Sequence, residues 1–434
     1  MRRLLCLLVC AAAVSVTPAA QSVARSSTAQ SLAPAPTVAA HLALFDEVWT
    51  TINDSFYDPT FGGLDWPGVR AELRPKAAAA ASMDDARAVV NDMLARLKRS
   101  HFALLSSGPG RQDDDMVLTG ESAVDIDVRV LGADIVITKT RMPSTIGIKP
   151  GQRILSIDGK DMTPRSGEPA LTSWRRVNAA LHGWNGSLAD VMLVGGTRIK
   201  APRTLPGGQL VRFGNLPPTR VRVDQSLETT PAGRHAGVIS FNIWMAQVDQ
   251  PVASAVDAYR NADGLVFDLR GNPGGLAAMI GGVAGHILER ADLLGTMRTR
   301  QIPQLKFAAN PRTVTAAGRL VTPFRGPVAI IVDEMSASAT ECFAGGLQDL
   351  GRVRVFGRTS MGSALPASTR SLANGDVLEY VVGDFVTSKG RSLEGSGVVP
   401  DEIQPLSIAS LMAGRDDALQ AALAWIDKQV PGIR

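Results

Sequence analysis

The chain turns from strand to helix in the stretch Val328-Ala329-Ile330-Ile331-Val332-Asp333-Glu334-Met335-Ser336-Ala337-Ser338-Ala339-Thr340-Glu341. Its first five residues are uniformly apolar, which is typical of a strand buried on both faces, and a helix is expected to begin near Ala339. Ser338 then lies at a helix N-terminus, where unpaired N–H groups and the dipole favour negative charge. That position suits a nucleophile that forms an oxyanion, although Ser338 and Glu341 also match a capping box, which most often only caps a helix.

A second turn of the same kind follows the strand that ends near Asp268. Residues 268–275 read Asp-Leu-Arg-Gly-Asn-Pro-Gly-Gly and precede an apolar, helix-like run. The lysine and the spacing of a phosphate-binding loop are absent, so phosphate binding is weakly supported. Glycines there let the backbone approach a carbonyl closely and donate N–H groups to it. Strand-like and helix-like runs alternate around both turns and predict an α/β core: 237–241, 252–259, 265–269, 276–288, 328–332 and 338–350.

Two other regions precede this core. Residues 41–105 repeat apolar side chains at spacings of three and four, as in Leu44, Phe45 and Val48, and predict a small helical domain. Between about 120 and 202 the period shifts toward two. Within it, residues 147–160 resemble the turn and strand of a PDZ domain, in which Pro-Gly makes a tight turn and Asp-Gly closes a hairpin. A PDZ domain can add a peptide to its sheet edge, but a structural module without a ligand stays open because no glycine-rich carboxylate-binding loop is evident near 122–127.

The first 24 residues have the layout of a cleavable secretory signal: two arginines, the apolar run 4–16, then small residues. Export is therefore expected, with a lipid anchor on Cys10 as a minor alternative and no permanent transmembrane helix. Removing Arg2 and Arg3 lowers the formal net charge from +4 to +2, and the remaining basic residues are scattered, which argues against nucleic acid. Cys342 would be the one cysteine of the mature chain, a buried packing residue without a disulfide partner. No metal cluster is evident and no cofactor is expected.

Taken in order, these motifs resemble peptidase family S41, the C-terminal processing proteases and their tricorn-like relatives. The resemblance covers nearly the whole mature chain and is carried by these stretches: 45–49, 56–59, 147–160, 265–275, 336–341, 348–352 and 397–401. It implies a multidomain α/β (α+β) fold with an N-terminal helical domain, a PDZ-like β-rich domain and an α/β peptidase core like the crotonase and ClpP folds. The expected boundaries are: signal peptide 1–24, disordered leader 25–40, helical domain 41–110, PDZ-like domain 115–202 and peptidase core 215–430.

The resemblance also implies site residues. The family nucleophile falls on Ser338, and the lysine base of the processing-protease branch, about 25 residues further on, is absent because residues 361–364 read Met-Gly-Ser-Ala. The tricorn-like branch instead uses a histidine preceded by a serine and a glutamate before the Gly-Val-x-Pro-Asp string. Here these are His101 as general base, titrating at about 6 to 7, with Ser100 and Glu394 orienting it. The oxyanion hole would combine Gly274 or Gly275 with Ala339.

The implied activity is that of an exported serine endopeptidase acting on polypeptides by acyl transfer. One alternative is a catalytically inactive relative that binds peptides, which the missing lysine favours. Another is a crotonase-like acyl hydrolase or hydratase acting on acyl-CoA, which export disfavours because coenzyme A is cytoplasmic. The sequence indicates neither the cleavage specificity nor the oligomeric state.

Overall fold

The computed structural model describes residues 37–106, 121–212, 219–315 and 317–430, which form a multidomain α+β protein with a helical N-terminal region. The predicted fold class is therefore confirmed. The predicted signal peptide, including Cys10, and most of the leader lie outside the described residues. The first helix begins at Val38, so residues 38–40 of the predicted leader are helical instead.

Helices and strands are numbered in chain order within the described residues. The α-helices are α1 Val38–Ser55, α2 Trp66–Ala78, α3 Met83–Ala95, α4 Ala170–Leu181, α5 Asp249–Ala258, α6 Met279–Ala284, α7 Ala339–Asp349, α8 Ile408–Met412 and α9 Asp417–Gln429. The strands are β1 Ala103–Leu105, β2 Ser122–Ala123, β3 Ile126–Leu131, β4 Asp134–Thr140, β5 Arg153–Ile157, β6 Lys160–Asp161, β7 His182–Gly183, β8 Leu188–Leu193, β9 Arg198–Pro202, β10 Gln209–Val211, β11 Thr219–Val221, β12 Val223–Thr229, β13 His235–Phe241, β14 Gly264–Asp268, β15 Leu293–Thr299, β16 Leu305–Ala308, β17 Val328–Val332, β18 Arg354–Gly357, β19 Ala367–Ser371, β20 Val377–Val381, β21 Gly383–Thr387 and β22 Glu402–Ile403.

The largest core surrounds a six-stranded sheet with the order β12-β13-β14-β17-β18-β22. All neighbours are parallel except β12 and β13, and β17 is buried along its whole length, as its apolar sequence predicts. Helices α5, α6 and α7 pack on one face and α9 on the other. The helix-like run 276–288 is shorter than predicted, because only residues 279–284 form α6. Since parallel strands end at one edge, the turns after β14 and β17 lie side by side.

The β-rich region has a sheet and a core of its own. Strands β3-β4-β5-β8-β9 pair in that order, antiparallel throughout, and α4 packs against them. The predicted Asp158-Gly159 hairpin is confirmed: Ile157 pairs with Lys160, and both turn residues have positive φ, 51° and 78°. Strand β3 is one edge of this sheet, and α4 lies beside it.

The N-terminal helices do not enclose a core alone. Helices α1–α3 share their apolar core with Leu372, Leu378 and Val381 from the hairpin β19–β20 and with Leu365, which precedes that hairpin. Strand β1, which follows α3, pairs antiparallel with β20. Part of the sequence assigned to the peptidase core thus packs with the helical region. The pairing of β1 with β20 also brings the segment that precedes β1 next to the peptidase core.

Within the described part of the chain, no helix is long and apolar enough to cross a membrane. The expected buried, unpaired Cys342 is confirmed, since its side chain lies in the core of the large sheet as a free thiol.

Candidate functional site

Ser338 is presented by a strained turn. It precedes α7 with φ 56° and ψ −120°, whereas a helix N-cap normally has β-region angles. Its neighbours Ala337 and Ala339 are buried, while Ser338 is partly exposed. The residue is the N-cap of a capping box, and its N–H donates to Glu341 Oε2 at 3.0 Å. Capping therefore operates here, but it does not require the positive φ, which is more typical of functional turns.

Buried polar groups join this turn to the glycine-rich turn after β14. Asp333 Oδ1 accepts N–H groups from Gly271 at 2.9 Å and Met335 at 3.1 Å. Ser336 Oγ donates to the carbonyl of Leu269 at 2.9 Å. Because Asp333 and Ser336 are both buried, these bonds form away from water and hold the two turns in a fixed relation.

Gly274 lies directly against Ser338. A Cβ atom placed on Gly274 would be 2.5 Å from Ser338 Cβ, too close for any side chain. The Gly274 N–H donates to Asn272 Oδ1 at 3.0 Å, and its carbonyl accepts the Trp244 N–H at 2.8 Å. Trp244 and Gly275 form a parallel β-bridge. Its hydrogen bonds run from the Trp244 N–H to the carbonyl of residue 274 and from the N–H of residue 276 to the Trp244 carbonyl. The N–H of Gly275 has no acceptor among the described residues.

His101 is held by its preceding serine. It lies between α3 and β1 with φ 58°, and Ser100 Oγ is 2.7 Å from its Nδ1. Ser100 also contacts Glu394, with Oγ 2.9 Å from Oε2 and the backbone N 2.9 Å from Oε1. An ionised carboxylate can only accept, so the Ser100 hydroxyl proton points to Glu394. The Nδ1–H of His101 then donates to Ser100 Oγ, and Nε2 keeps a lone pair.

A short segment connects these two halves. Ser338 N–H donates to the carbonyl of Ser363 at 2.7 Å, and the next N–H, that of Ala364, donates to Glu394 Oε2 at 3.1 Å. Ser100, His101 and Glu394 thus form one hydrogen-bonded cluster, and the backbone of residues 363–364 links that cluster to Ser338. Among the described residues, no hydrogen bond joins the His101 ring directly to the Ser338 hydroxyl. Gly274 lies against Ser338 and Ala339.

Sequence reasoning missed the group that anchors this segment. Glu341 is fully buried, and its carboxylate also accepts from Ser360 Oγ at 2.6 Å, Gly362 N–H at 2.7 Å and Ser363 N–H at 2.9 Å. Burial raises the pKa of Glu341, and these donors oppose the rise. The capping-box pattern identified Glu341 only as a partner of Ser338; nothing in the sequence predicted its contacts with residues 360–363.

Burial also governs the titration of His101. Loss of solvent lowers the pKa of its imidazole below the usual 6.5, and the carboxylates of Glu379 and Glu394 act in the opposite direction. A lowered pKa keeps the ring neutral near pH 7, the form in which it can accept a proton.

Family models match two parts of the chain. Residues 235–403 match peptidase family S41, and residues 38–95 match the tricorn protease C1 domain. The chain is 28% identical over 389 residues to a carboxyl-terminal-processing protease of Synechocystis sp., covering 86% of this chain and 84% of the relative. It is 27% identical over 380 residues to the chloroplastic carboxyl-terminal-processing peptidase 3 of Arabidopsis thaliana, covering 82% and 67%.

Solved structures show the same fold. The photosystem II D1 C-terminal processing protease superposes with a TM-score of 0.53 at 21% identity, covering 88% of this chain and 98% of that protein. The tricorn protease superposes with a TM-score of 0.51 at 18% identity, covering 90% of this chain and 37% of the larger protein. The S41 match over residues 235–403, the processing-protease relatives and the shared fold agree that the chain is a serine-type peptidase that acts on polypeptides.

Proposed function

We propose that this chain is an exported endopeptidase in which Ser338 attacks the scissile carbonyl and His101 takes its proton. The carbon–nitrogen bond of the peptide breaks, the amine leaves with the proton from His101, and water then releases the acyl group from Ser338. The observation that carries the proposal is the link from the Ser338 N–H, through the backbone of residues 363–364, to Glu394, which in turn contacts Ser100 beside His101. This link supports a base and its orienting groups close to the nucleophile.

The tautomer of His101 supports its role as base. With Nδ1–H donating to Ser100, Nε2 is the nitrogen available to accept a proton. Glu394 then stabilises the imidazolium through Ser100 once the proton has moved, in the role that a carboxylate has in other serine hydrolases. Such a base contributes about 10²–10⁴ in rate.

Two N–H groups that have no acceptor among the described residues support an oxyanion hole. Of the pair predicted from the sequence, the Gly274 N–H already donates to Asn272, whereas the Gly275 N–H has no acceptor among the described residues. Ala339 opens α7, so its N–H is one of the unpaired donors of the first helical turn. We assign the oxyanion donors to Gly275 and Ala339, each contributing on the order of 3–4 kcal/mol.

The missing lysine does not disable this arrangement. Ser363 is where the resemblance would place that lysine, and its backbone carbonyl accepts the Ser338 N–H while its own N–H donates to Glu341. The segment therefore serves as support, and the base comes from the residue after Ser100. The match of residues 38–95 to the tricorn C1 model agrees with a base supplied from the N-terminal side.

We further propose that the β-rich region selects a polypeptide C-terminus in PDZ fashion, as the names of the processing-protease relatives suggest. Edge strand β3 lies beside α4, and Trp174 Nε1 donates to the carbonyl of Val128 at 3.2 Å. A cavity of about 600 Å³ adjoins both and is bounded on the core side by Arg270 and Leu411. A peptide added along β3 would enter this cavity.

Labelling with a fluorophosphonate tests the nucleophile. The purified chain is expected to be modified on Ser338, with loss of labelling and of peptide cleavage in Ser338→Ala. Ser336→Ala is not a suitable control because Ser336 anchors the turn, so Ser396→Ala, an exposed serine, serves instead and should label normally. Modification of another residue, or unchanged cleavage by Ser338→Ala, would contradict the assignment.

Export has its own test. Residues 1–24 fused to a reporter that is active only outside the cytoplasm should produce activity, and a fusion lacking them should not. A reporter that stays inactive with the segment attached would contradict export.

A further inference from the structure

Glu379 lies on the face of its strand that is turned away from the helical region. In the register of β1 and β20, Glu379 is directly opposite Ala103, two residues after His101. The adjacent pair, Leu104 and Leu378, is buried in the core shared with α1–α3. Since side chains alternate along a strand, Glu379 projects from the other face, on the same side as Ala103.

Glu379 is half-buried, and its carboxylate has no hydrogen bond or ion pair with any residue that the structure describes. Arginines close to the hairpin are engaged on the helical side: Arg370 with Glu47 at 3.8 Å and Arg87 with Asp376 at 2.9 Å. A half-buried carboxylate without a partner is unfavourable, and a cation arriving from outside would relieve this.

The charge of Glu379 also acts on His101. Its carboxylate is the larger of the two influences that raise the pKa of that imidazole against burial, ahead of Glu394. The strand register agrees with this influence, because it sets Glu379 opposite Ala103, two residues from His101. Glu394 already orients the ring through Ser100, so Glu379 is not needed for that purpose.

Space is available next to it for an extended chain. The cross-strand neighbour of Glu379 on β19 is the exposed Thr369, and the residue two before it on that strand is the exposed Ala367. These small, exposed side chains leave room beside Glu379 for a substrate chain.

We propose that Glu379 recognises a lysine or arginine side chain of the polypeptide substrate close to the scissile bond. This inference rests on the proposed function, because it places the substrate beside His101. An ammonium or guanidinium group would form with Glu379 the charge-assisted hydrogen bond that the protein itself does not supply. The enzyme would then prefer cationic sequences at one position near the cleavage site.

Peptide binding to the Ser338→Ala variant tests this without requiring cleavage. A set of peptides in which a single lysine moves along a neutral sequence is compared with the same set carrying norleucine, by fluorescence anisotropy. One lysine position should strengthen binding by about ten-fold, and adding Glu379→Gln should abolish that gain. Adding Glu379→Lys should instead favour a glutamate at the same position. Glu402→Gln, an equal charge change on the distant edge strand β22, should leave the lysine preference intact.

Two results would overturn the inference: no lysine position improves binding, or the improvement survives Glu379→Gln. Peptide cleavage is measured in parallel with the protein in which Ser338 is intact. The pH is kept above the range in which His101 titrates, so that a change in the His101 pKa does not alter the cleavage rate. Loss of cleavage on all peptides with the lysine preference retained would contradict the proposed function and leave the role of Glu379 supported.

Discussion

His101 and Ser338 are two of the five non-glycine residues with positive φ in the described chain. Such conformations cost about 1–3 kcal/mol each for ordinary residues and persist only where the surroundings enforce them. For Ser338 the surroundings are Glu341 and the carbonyl of Ser363; for His101 they are Ser100 and Glu394. Two of these five strained positions are thus the residues assigned to proton transfer.

Replacing the general base should lower kcat/KM more than any other substitution except replacement of the nucleophile. His101→Ala is expected to lower kcat/KM by about 10²–10⁴, and Ser100→Ala and Glu394→Gln should lower it less, because they only orient the ring. Steady-state peptide hydrolysis measures this, with the exposed His235→Ala as control. Equal or larger losses for Ser100→Ala or Glu394→Gln would mean that the base is misassigned.

The pH dependence should report the buried imidazole. Only neutral His101 can accept a proton, and burial lowers its pKa, so kcat/KM should stay on its plateau to a pH below 6.5 before it falls. Glu394→Gln removes a carboxylate that raises this pKa, so the falling limb should move to lower pH even though the plateau drops. Two results would contradict the role of His101: a falling limb that moves to higher pH in Glu394→Gln, or a kcat/KM that does not fall at all down to about pH 4.

The residue types of this site were predictable, but their environment was not. The order of motifs predicted Ser338, Ser100, His101 and Glu394, and in the structure the last three share hydrogen bonds while the backbone of residues 363–364 links them to Ser338. The sequence suggested an ordinary histidine pKa of about 6 to 7, whereas burial lowers it. Burial depends on the packing of β1 against β20, which no local pattern contains.

Among the elements, the two turns after β14 and β17 and the segment 360–364 determine the site geometry. Glycine in the first turn allows its backbone to touch Ser338, and Glu341 fixes the third segment by three donors from residues 360–363. The glycine-rich turn was predicted from its composition. The third segment was not, because two of its three donors to Glu341 are backbone N–H groups, which any residue type can supply.

Substituting Gly274 should disable the site. In Gly274→Ala the new Cβ would be 2.5 Å from Ser338 Cβ and 2.8 Å from the carbonyl oxygen of Ala337, so Ser338 would have to move. Activity should fall by more than about 10²-fold, since displacements of this size misalign the reacting atoms. Gly195→Ala is the matched control: its φ of 101° is close to the 98° of Gly274, but nothing lies within 4 Å. Equal activities of the two variants would contradict the contact.

At the scale of the whole molecule, one buried ion pair joins the β-rich region to the core. Arg129 of β3 donates from Nε to Asp333 Oδ2 at 2.6 Å, and both side chains are buried. Asp333 also anchors the turn that carries Ser338, so this ion pair connects the edge strand proposed to receive a peptide with the turn that carries the nucleophile.

Breaking this pair should be strongly destabilising. Arg129→Met leaves the Asp333 carboxylate buried without its cation, which costs about 3–5 kcal/mol and lowers the melting temperature by roughly 10 °C. Arg153→Met, which breaks a more exposed pair with Asp134 in the same sheet, should cost less than about 1 kcal/mol. Thermal unfolding followed by circular dichroism gives both values. Similar losses in the two variants would contradict the importance of the buried pair.

Long-range contacts were the part of the molecule that sequence patterns could not define. Ser100 meets Glu394 across 294 positions of the chain, and the pairing that makes this possible is the three-residue strand β1 on β20. A strand of three residues is too short to show an alternation of apolar and polar side chains. Its partner hairpin also lies far along the chain, in the sequence assigned to the peptidase core. The layered core was predictable because its buried strands are longer and uniformly apolar.

The most direct test of the central claim is a crystal structure of the chain with Ser338 modified by a fluorophosphonate. The claim predicts phosphorus on Ser338 Oγ, the His101 Nε2 within about 2.6–3.2 Å of that oxygen, and the phosphoryl oxygen facing the Gly275 and Ala339 N–H groups. An imidazole turned away from Ser338, with another proton acceptor in its place, would contradict it.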